Sequence, residues 1–179
     1  MPRREIRVTG YGGQGVIMTG YIFGKAAAIY DGIHSTMTQS FGPEARGSAC
    51  AAAVVVDEEF VDYPYLQRTD VLIALSREGY QKYAAELKDD GVLIYDQDLV
   101  TPDEQIAAGV TKLGIPATRI AEDLGKRIVQ NIVVVGFATA ATEVVGKEAA
   151  KQAVETSVPP ATIDLNLQAF EKGYEHFHS

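Results

Sequence analysis

The chain has one cysteine, Cys50, and three histidines, His34, His176 and His178. A lone cysteine excludes an internal disulfide and cannot hold an iron–sulfur cluster, which takes about four thiolates. The histidines are scattered, two of them in the C-terminal tail, so no metal-ligand spacing is formed. A signal segment is missing as well: Met1-Pro2-Arg3-Arg4-Glu5 runs straight into strand-like sequence, and a cytoplasmic location is expected. The most apolar run, Ile128 to Val145, approaches membrane-span length but carries Gln130, Asn131, Gly136 and Glu143, which fits a buried helix better than a span. Basic excess is absent too. With 24 acidic against 16 basic residues the formal net charge is −8, which argues against a nucleic-acid or anionic-membrane partner. No Lys-Ser or Lys-Thr follows the glycine-rich turn described next, so there is no P-loop.

What is present is ordinary globular composition, 46% hydrophobic and 22% charged over 179 residues, which predicts a single domain over 1–179 with a substantial core. The organising stretch is Arg7-Val8-Thr9-Gly10-Tyr11-Gly12-Gly13-Gln14-Gly15-Val16, an apolar strand, a glycine turn and a helix start. Glycines 10, 12 and 15 fit G-x-G-x-x-G, in which a tight turn, close backbone approach and helix–strand packing each require a missing side chain. Its amides and the helix N-terminus form an anion-accepting surface, although the same spacing also serves packing alone. A nicotinamide dinucleotide would need a carboxylate about 20 residues on, at the tip of the second strand. That strand, Ile33 to Gln39, ends in Thr38-Gln39-Ser40, and Asp31 lies at its wrong end, so a standalone nucleotide-binding reductase is the weaker alternative.

Ser40-Phe41-Gly42-Pro43-Glu44-Ala45-Arg46-Gly47 is a second unusual stretch, a loop because Gly-Pro breaks regular structure. At the C-terminal ends of strands one and two, both loops should enter one crevice. The two loops, together with Gln130-Asn131-Ile132-Val133 late in the chain, resemble the gamma subunit of 2-oxoacid:ferredoxin (acceptor) oxidoreductases, and the resemblance covers nearly the whole chain. One departure is Ser48, where the family's motif has a second glycine after Arg-Gly.

The resemblance implies a subunit of a thiamine-diphosphate enzyme that converts a 2-oxoacid and coenzyme A into acyl-CoA, carbon dioxide and low-potential electrons for ferredoxin. No Gly-Asp-Gly followed by paired asparagines is present, so thiamine diphosphate, its Mg2+ and the iron–sulfur clusters are expected on alpha and beta partner subunits, with a delta subunit as a further candidate and a homodimer for the isolated chain. No catalytic residue is expected here, and the isolated chain should be inactive. Coenzyme A is the ligand this chain would take. The candidate binding residues are Gly10, Gly12, Gly13, Gln14, Gly15, Ser40, Arg46 and Asn131, with Arg46 either pairing a phosphate or bridging to Glu44 or a partner. Asn131 either satisfies a neighbouring loop or touches ligand, and a scaffold without ligand remains the other reading. The style of Ser-Phe-Gly-Pro-Glu-Ala-Arg favours 2-oxoglutarate as the oxoacid.

The remaining chain alternates as an α/β, doubly wound, mostly parallel, Rossmann-like sheet with a helical C-terminal third. Cys50 reads as an inert thiol in a strand, Ser48 to Val56, buried on both faces. Further strands are expected at Val71 to Ala74, Val92 to Tyr95 and Thr111 to Ile115. Ser76 should cap a helix from Arg77 to Leu87, Lys88-Asp89-Asp90-Gly91 should turn, and Pro102 should open a short helix. Helices follow at Thr118 to Leu124, Arg127 to Val145 and Lys147 to Glu155. A last helix is capped by Asp164, with Leu167, Phe170, Tyr174 and Phe177 on one face.

Overall fold

The computed structural model describes residues 2–42, 49–103 and 106–179. Six strands, β1 (Arg4–Tyr11), β2 (His34–Phe41), β3 (Ala49–Asp57), β4 (Thr69–Ala74), β5 (Leu87–Asp96) and β6 (Thr111–Ile115), form one sheet in the order β2-β3-β1-β4-β5-β6. Helices α1 (Val16–Lys25), α2 (Arg77–Tyr83), α3 (Ala117–Asp123), α4 (Gln130–Thr142), α5 (Lys147–Glu155) and α6 (Ile163–Phe177) complete it. The pairs β1–β4, β4–β5 and β5–β6 are parallel, whereas β3 runs antiparallel between β2 and β1, so the sheet is mixed though mostly parallel. β2 pairs antiparallel with the next strand in sequence, β3. Its run of alanines and valines is buried on both faces, and that pattern reads the same in either direction.

The two faces of the sheet are covered unequally. Val8, Ala52, Val54, Val71, Ile73 and Ile94 point into a core shared with α1 and α3 to α6, while Ala51, Leu72, Ala74 and Leu93 face Tyr80 and Tyr83 of α2. The α1 backbone lies close on β3, because a Cβ on Gly20 would stand 2.6 Å from the Ala52 methyl. α4 is buried from Gln130 to Ala140 and packs on α6 backbone to backbone: a Cβ on Gly136 would meet the Phe170 carbonyl, and one on Gly173 the Val133 carbonyl. Phe170, fully buried, carries the face expected for α6; Leu167 and Tyr174 flank it half-buried and Phe177 is exposed.

Several local expectations change. Lys88 to Gly91 belong to β5, where the β4–β5 register jumps from Thr69↔Leu87 to Val71↔Val92, so the turn residues form a bulge within the strand. Leu87 therefore starts a strand and does not end α2, which closes through a short 3-10 turn at Ala84–Glu86. No helix starts at Pro102 among the described residues; the Asp103 backbone N–H and carboxylate are both held by the Tyr80 hydroxyl, at 3.1 and 2.8 Å, while Glu104 and Gln105 lie outside the described residues. Asp164 sits in the first turn of α6 and Thr162 at its N-cap, because a 3-10 turn at Pro160–Thr162 begins the spiral earlier. Ser76 does cap α2, its hydroxyl accepting the Gly79 N–H at 3.1 Å.

The glycine contact of α4 and α6 is open to a direct test. Gly136→Ala and Gly173→Ala should each lower stability by on the order of 3 kcal/mol, because a methyl must displace a backbone carbonyl. Urea unfolding should show a lower midpoint with an unchanged slope.

Candidate functional site

The glycine turn leaves β1 and enters α1 through residues that only glycine suits. Gly13 and Gly15 have φ of 97° and 73°, in the left-handed region. A Cβ on Gly15 would stand 2.5 Å from Asn131 Cγ, so its bareness serves the approach of α4. Gly10 is bare for packing, since its Cβ would meet Gln14 Oε1 at 2.6 Å and Val16 Cγ2 at 2.9 Å. Gln14 then pins the turn: its Oε1 accepts the Tyr11 N–H at 2.6 Å and its Nε2 donates to the Leu75 carbonyl at 2.8 Å, just past the end of β4. Strand order reverses between β1 and β4, the place where open α/β sheets open a ligand crevice, and the Gln14 carboxamide spans it.

The open space lies on the other side of the turn. A cavity of about 960 Å³ is bounded by Gly12, Gly13 and Gly15, the first turn of α1, and Phe41 and Gly42 at the end of β2. Its far wall comes from Lys126 to Ile132 ahead of and within α4, and from Ser157 to Asn166 entering α6. The lining is mainly apolar, through Val16, Ile17, Val129, Ile132, Val158 and Leu165. Gly15 at the N-cap of α1 offers no side-chain cap and no acidic residue stands in the first turn, so the amides there open toward the cavity. Lys126 at the rim is exposed and makes no ion pair among the described residues.

Of the residues singled out from sequence, Gly12, Gly13, Gly15 and Asn131 line this cavity, as do Phe41 and Cys50. Gly10 and Gln14 lie behind it in the turn's own packing, and Ser40 is exposed on β2 away from the lining. Arg46, with Glu44 and Ser48, lies outside the described residues. Asn131 packs under Gly15, but its carboxamide makes no hydrogen bond to the loop among the described residues. Asp31 accepts the Gly146 N–H at 2.8 Å and so holds the start of α5. Sequence reasoning did not find Lys126, Ile128 or the Ser157 to Asn166 wall. The Gly125-Lys126 and Pro159-Pro160 breaks mark these as turns, and nothing local in them points to the glycine loop.

Cys50 is buried, and desolvation pushes its thiol above the ordinary cysteine range, with a backbone hydrogen bond opposing. It therefore stays protonated and unreactive through neutral pH. No group of three or more His, Cys, Asp or Glu side chains suited to a metal ion occurs among the described residues. No helix among the described residues is long and apolar enough to cross a membrane.

A mostly parallel sheet with a glycine turn and a large crevice at its carboxyl edge defines a Rossmann-like α/β domain. Residues 5–176 match the family described as "Pyruvate ferredoxin/flavodoxin oxidoreductase". The chain is 47% identical over 174 residues to 2-oxoglutarate synthase subunit KorC of Methanocaldococcus jannaschii, covering 97% of this chain and 93% of that one. A keto/oxoacid ferredoxin oxidoreductase gamma subunit from Geobacter sulfurreducens superposes with a TM-score of 0.84 at 40% identity, over 98% of both chains. A 2-oxoglutarate:ferredoxin oxidoreductase from Magnetococcus marinus, solved with 2-oxoglutarate, coenzyme A and succinyl-CoA bound, has the same fold: TM-score 0.89 at 22% identity, over 99% of this chain and 31% of that one. The chain belongs to the pyruvate ferredoxin/flavodoxin oxidoreductase family.

The turn's geometry and the buried thiol each set an expected outcome. Gly15→Ala should destabilise the chain by on the order of 1 to 3 kcal/mol, through left-handed strain together with collision against Asn131; a thermal midpoint equal to that of the parent chain contradicts this. Cys50 should react slowly with a thiol-specific disulfide reagent at pH 7 in the folded chain and promptly in urea, which stopped-flow absorbance would read.

Proposed function

We propose that this chain, as a single 1–179 unit, is the gamma-type subunit of a 2-oxoglutarate:ferredoxin oxidoreductase and that its glycine-loop crevice receives coenzyme A. The assembly would decarboxylate 2-oxoglutarate oxidatively, releasing carbon dioxide, forming succinyl-CoA and passing two electrons to ferredoxin. Partner alpha and beta chains would hold thiamine diphosphate, Mg2+ and the iron–sulfur clusters. This chain's one cysteine fits no cluster, and its described residues bring no three or more His, Cys, Asp or Glu side chains together as metal ligands. The 2-oxoglutarate assignment draws on the KorC relatives, 46–47% identical over nearly the full chain.

The observation that carries the ligand reading is the cavity itself, which opens between the glycine turn, the uncapped start of α1 and the Lys126 cation. Its volume of about 960 Å³ lies at the top of the usual range for ligand sites, ample for a large cofactor and far more than a small oxoacid fills. Gly12 would let the ligand approach the backbone, while Arg46 in the neighbouring loop would pair a phosphate with its planar fork. A second reading, assembly alone, is favoured by the rim: Phe41 and Ile128 are 68% and 78% exposed, as large apolar groups at subunit contacts are.

The test uses the reconstituted complex. Gly12→Ala should raise KM for coenzyme A several-fold with stability nearly unchanged, since Gly12 has no left-handed φ to strain. An unchanged KM with weakened subunit association would replace the ligand reading with the assembly reading. The isolated chain should show no oxidoreductase activity, and the complex should prefer 2-oxoglutarate over pyruvate or 2-oxoisovalerate in ferredoxin-reduction assays.

A further inference from the structure

We propose that β2 is a pairing edge for a second copy of this chain, the two β2 strands running antiparallel about a two-fold axis at Thr38 so that one sheet continues through both molecules. β2 is the outer strand of the sheet, and its eight residues pair with β3 in unbroken register from His34↔Asp57 to Phe41↔Cys50. Just beyond, the Gly42 N–H donates to the Ala49 carbonyl at 3.1 Å, which makes that pair a hydrogen-bonded one. Bonded and unbonded pairs alternate along an antiparallel ladder, so Ser40, Thr38, Thr36 and His34 direct their backbone groups to β3. Ser35, Met37, Gln39 and Phe41 turn theirs to the open edge.

Edges of this kind are ordinarily blunted by shortness, charge, proline or a bulge. The opposite edge of the sheet follows that rule: β6 has five residues, carries Lys112 and is followed at once by Pro116. β2 follows none of it. It contains no Lys, Arg, Asp, Glu or Pro, and its one titratable side chain, His34, packs edge-on against Phe60 with ring centroids 5.8 Å apart.

The strand that fits this edge is β2 itself. With Thr38 opposite Thr38 on an axis normal to the sheet, Ser35 falls opposite Phe41 and Met37 opposite Gln39 in both directions. Every outward N–H and C=O of those four residues then has a partner in the second strand. On the face away from α1, threonine meets threonine and Thr36 meets Ser40, small hydroxyl pairs that tolerate close cross-strand contact. Two chains of net charge −8 repel at a distance, and here they meet along a strand that carries no acidic or basic residue except His34.

The experiment uses the full chain in solution. Sedimentation velocity should show a dimer whose share grows with concentration. Thr38→Lys sets two like charges across the axis and should weaken that dimer tenfold or more, with partial recovery at high salt. Under mild oxidation Thr38→Cys should form a covalent dimer quickly, because a non-hydrogen-bonded pair brings the two side chains within disulfide reach. Thr36→Cys, on the same face but displaced from the axis, should not. Should Thr38→Lys disturb the fold, the contrast between the two cysteine variants decides by itself. A chain that stays monomeric at every concentration overturns the proposal, as does a dimer that cross-links no faster through position 38 than through position 36. If hydrogen exchange shows the Ser35, Met37 and Gln39 amides slowed only in the reconstituted complex, a partner subunit's strand holds the edge and the second-copy pairing is wrong.

Discussion

Gly15 approaches the Asn131 side chain so closely that a Cβ has no room between them, and that approach fixes how α1 leaves β1 and how α4 lies beneath it. The glycine turn is held from two sides. Gln14 ties it to the Leu75 carbonyl past β4, while Asn131 abuts it from α4. A loop clamped in this way is preorganised, so an incoming ligand need not order it, and the ordering entropy is already spent in folding. The clamp also divides the space around the turn: the Gln14 carboxamide occupies the β1–β4 switch point used by dinucleotide folds, and the free volume lies on the β3 side.

The antiparallel β3 makes that side usable. A parallel third strand would place its start at the opposite edge of the sheet; the hairpin instead returns Cys50 beside Gly10 and Phe41, with Gly10↔Cys50 and Phe41↔Cys50 in register. The end of β2 is thereby brought next to the glycine turn although β3 lies between them. The alanines of β3 have a second consequence. Ala52 beneath Gly20 lets α1 settle low on the sheet, which lowers its N-terminus into the crevice.

Elements governed by local chemistry are legible in the amino-acid sequence. β6 and α5 occupy the spans expected from their apolar pattern and flanking turns, and the Ser76 cap is formed. Features governed by distant contact are not. The direction of β3 has no local signature, because a strand buried on both faces shows no alternation. Gly136 and Gly173 read as ordinary helical glycines, and only the fold shows that each one admits the other helix's backbone. The near wall of the cavity is legible in the two loop motifs. The far wall depends on the starts of α4 and α6 standing across the cavity from α1, which no spacing in the sequence encodes. Asn131 stands out as a polar residue in an apolar helix, but that it makes no hydrogen bond among the described residues emerges only from the assembled neighbours.

The chemistry of the lining limits what this chain can contribute. Its polar side chains among the described residues are Tyr11, Lys126, Asn131, Ser157, Thr162 and Asn166, with Cys50 kept as a neutral thiol by burial. No carboxylate or imidazole stands among them, so this wall offers no group whose ordinary pKa suits proton transfer at neutral pH. On the proposed coenzyme A reading it would desolvate, orient and neutralise the ligand, and each of these would raise the effective concentration of its thiol at a reacting centre on a facing chain. On the same reading, a binding wall and a reacting wall carried on separate chains would impose one geometric demand: the cavity mouth would have to face the partner. The exposed Phe41 and Ile128 at its rim are placed to meet that demand, since apolar side chains flanking an opening become favourable only when a second surface closes over them.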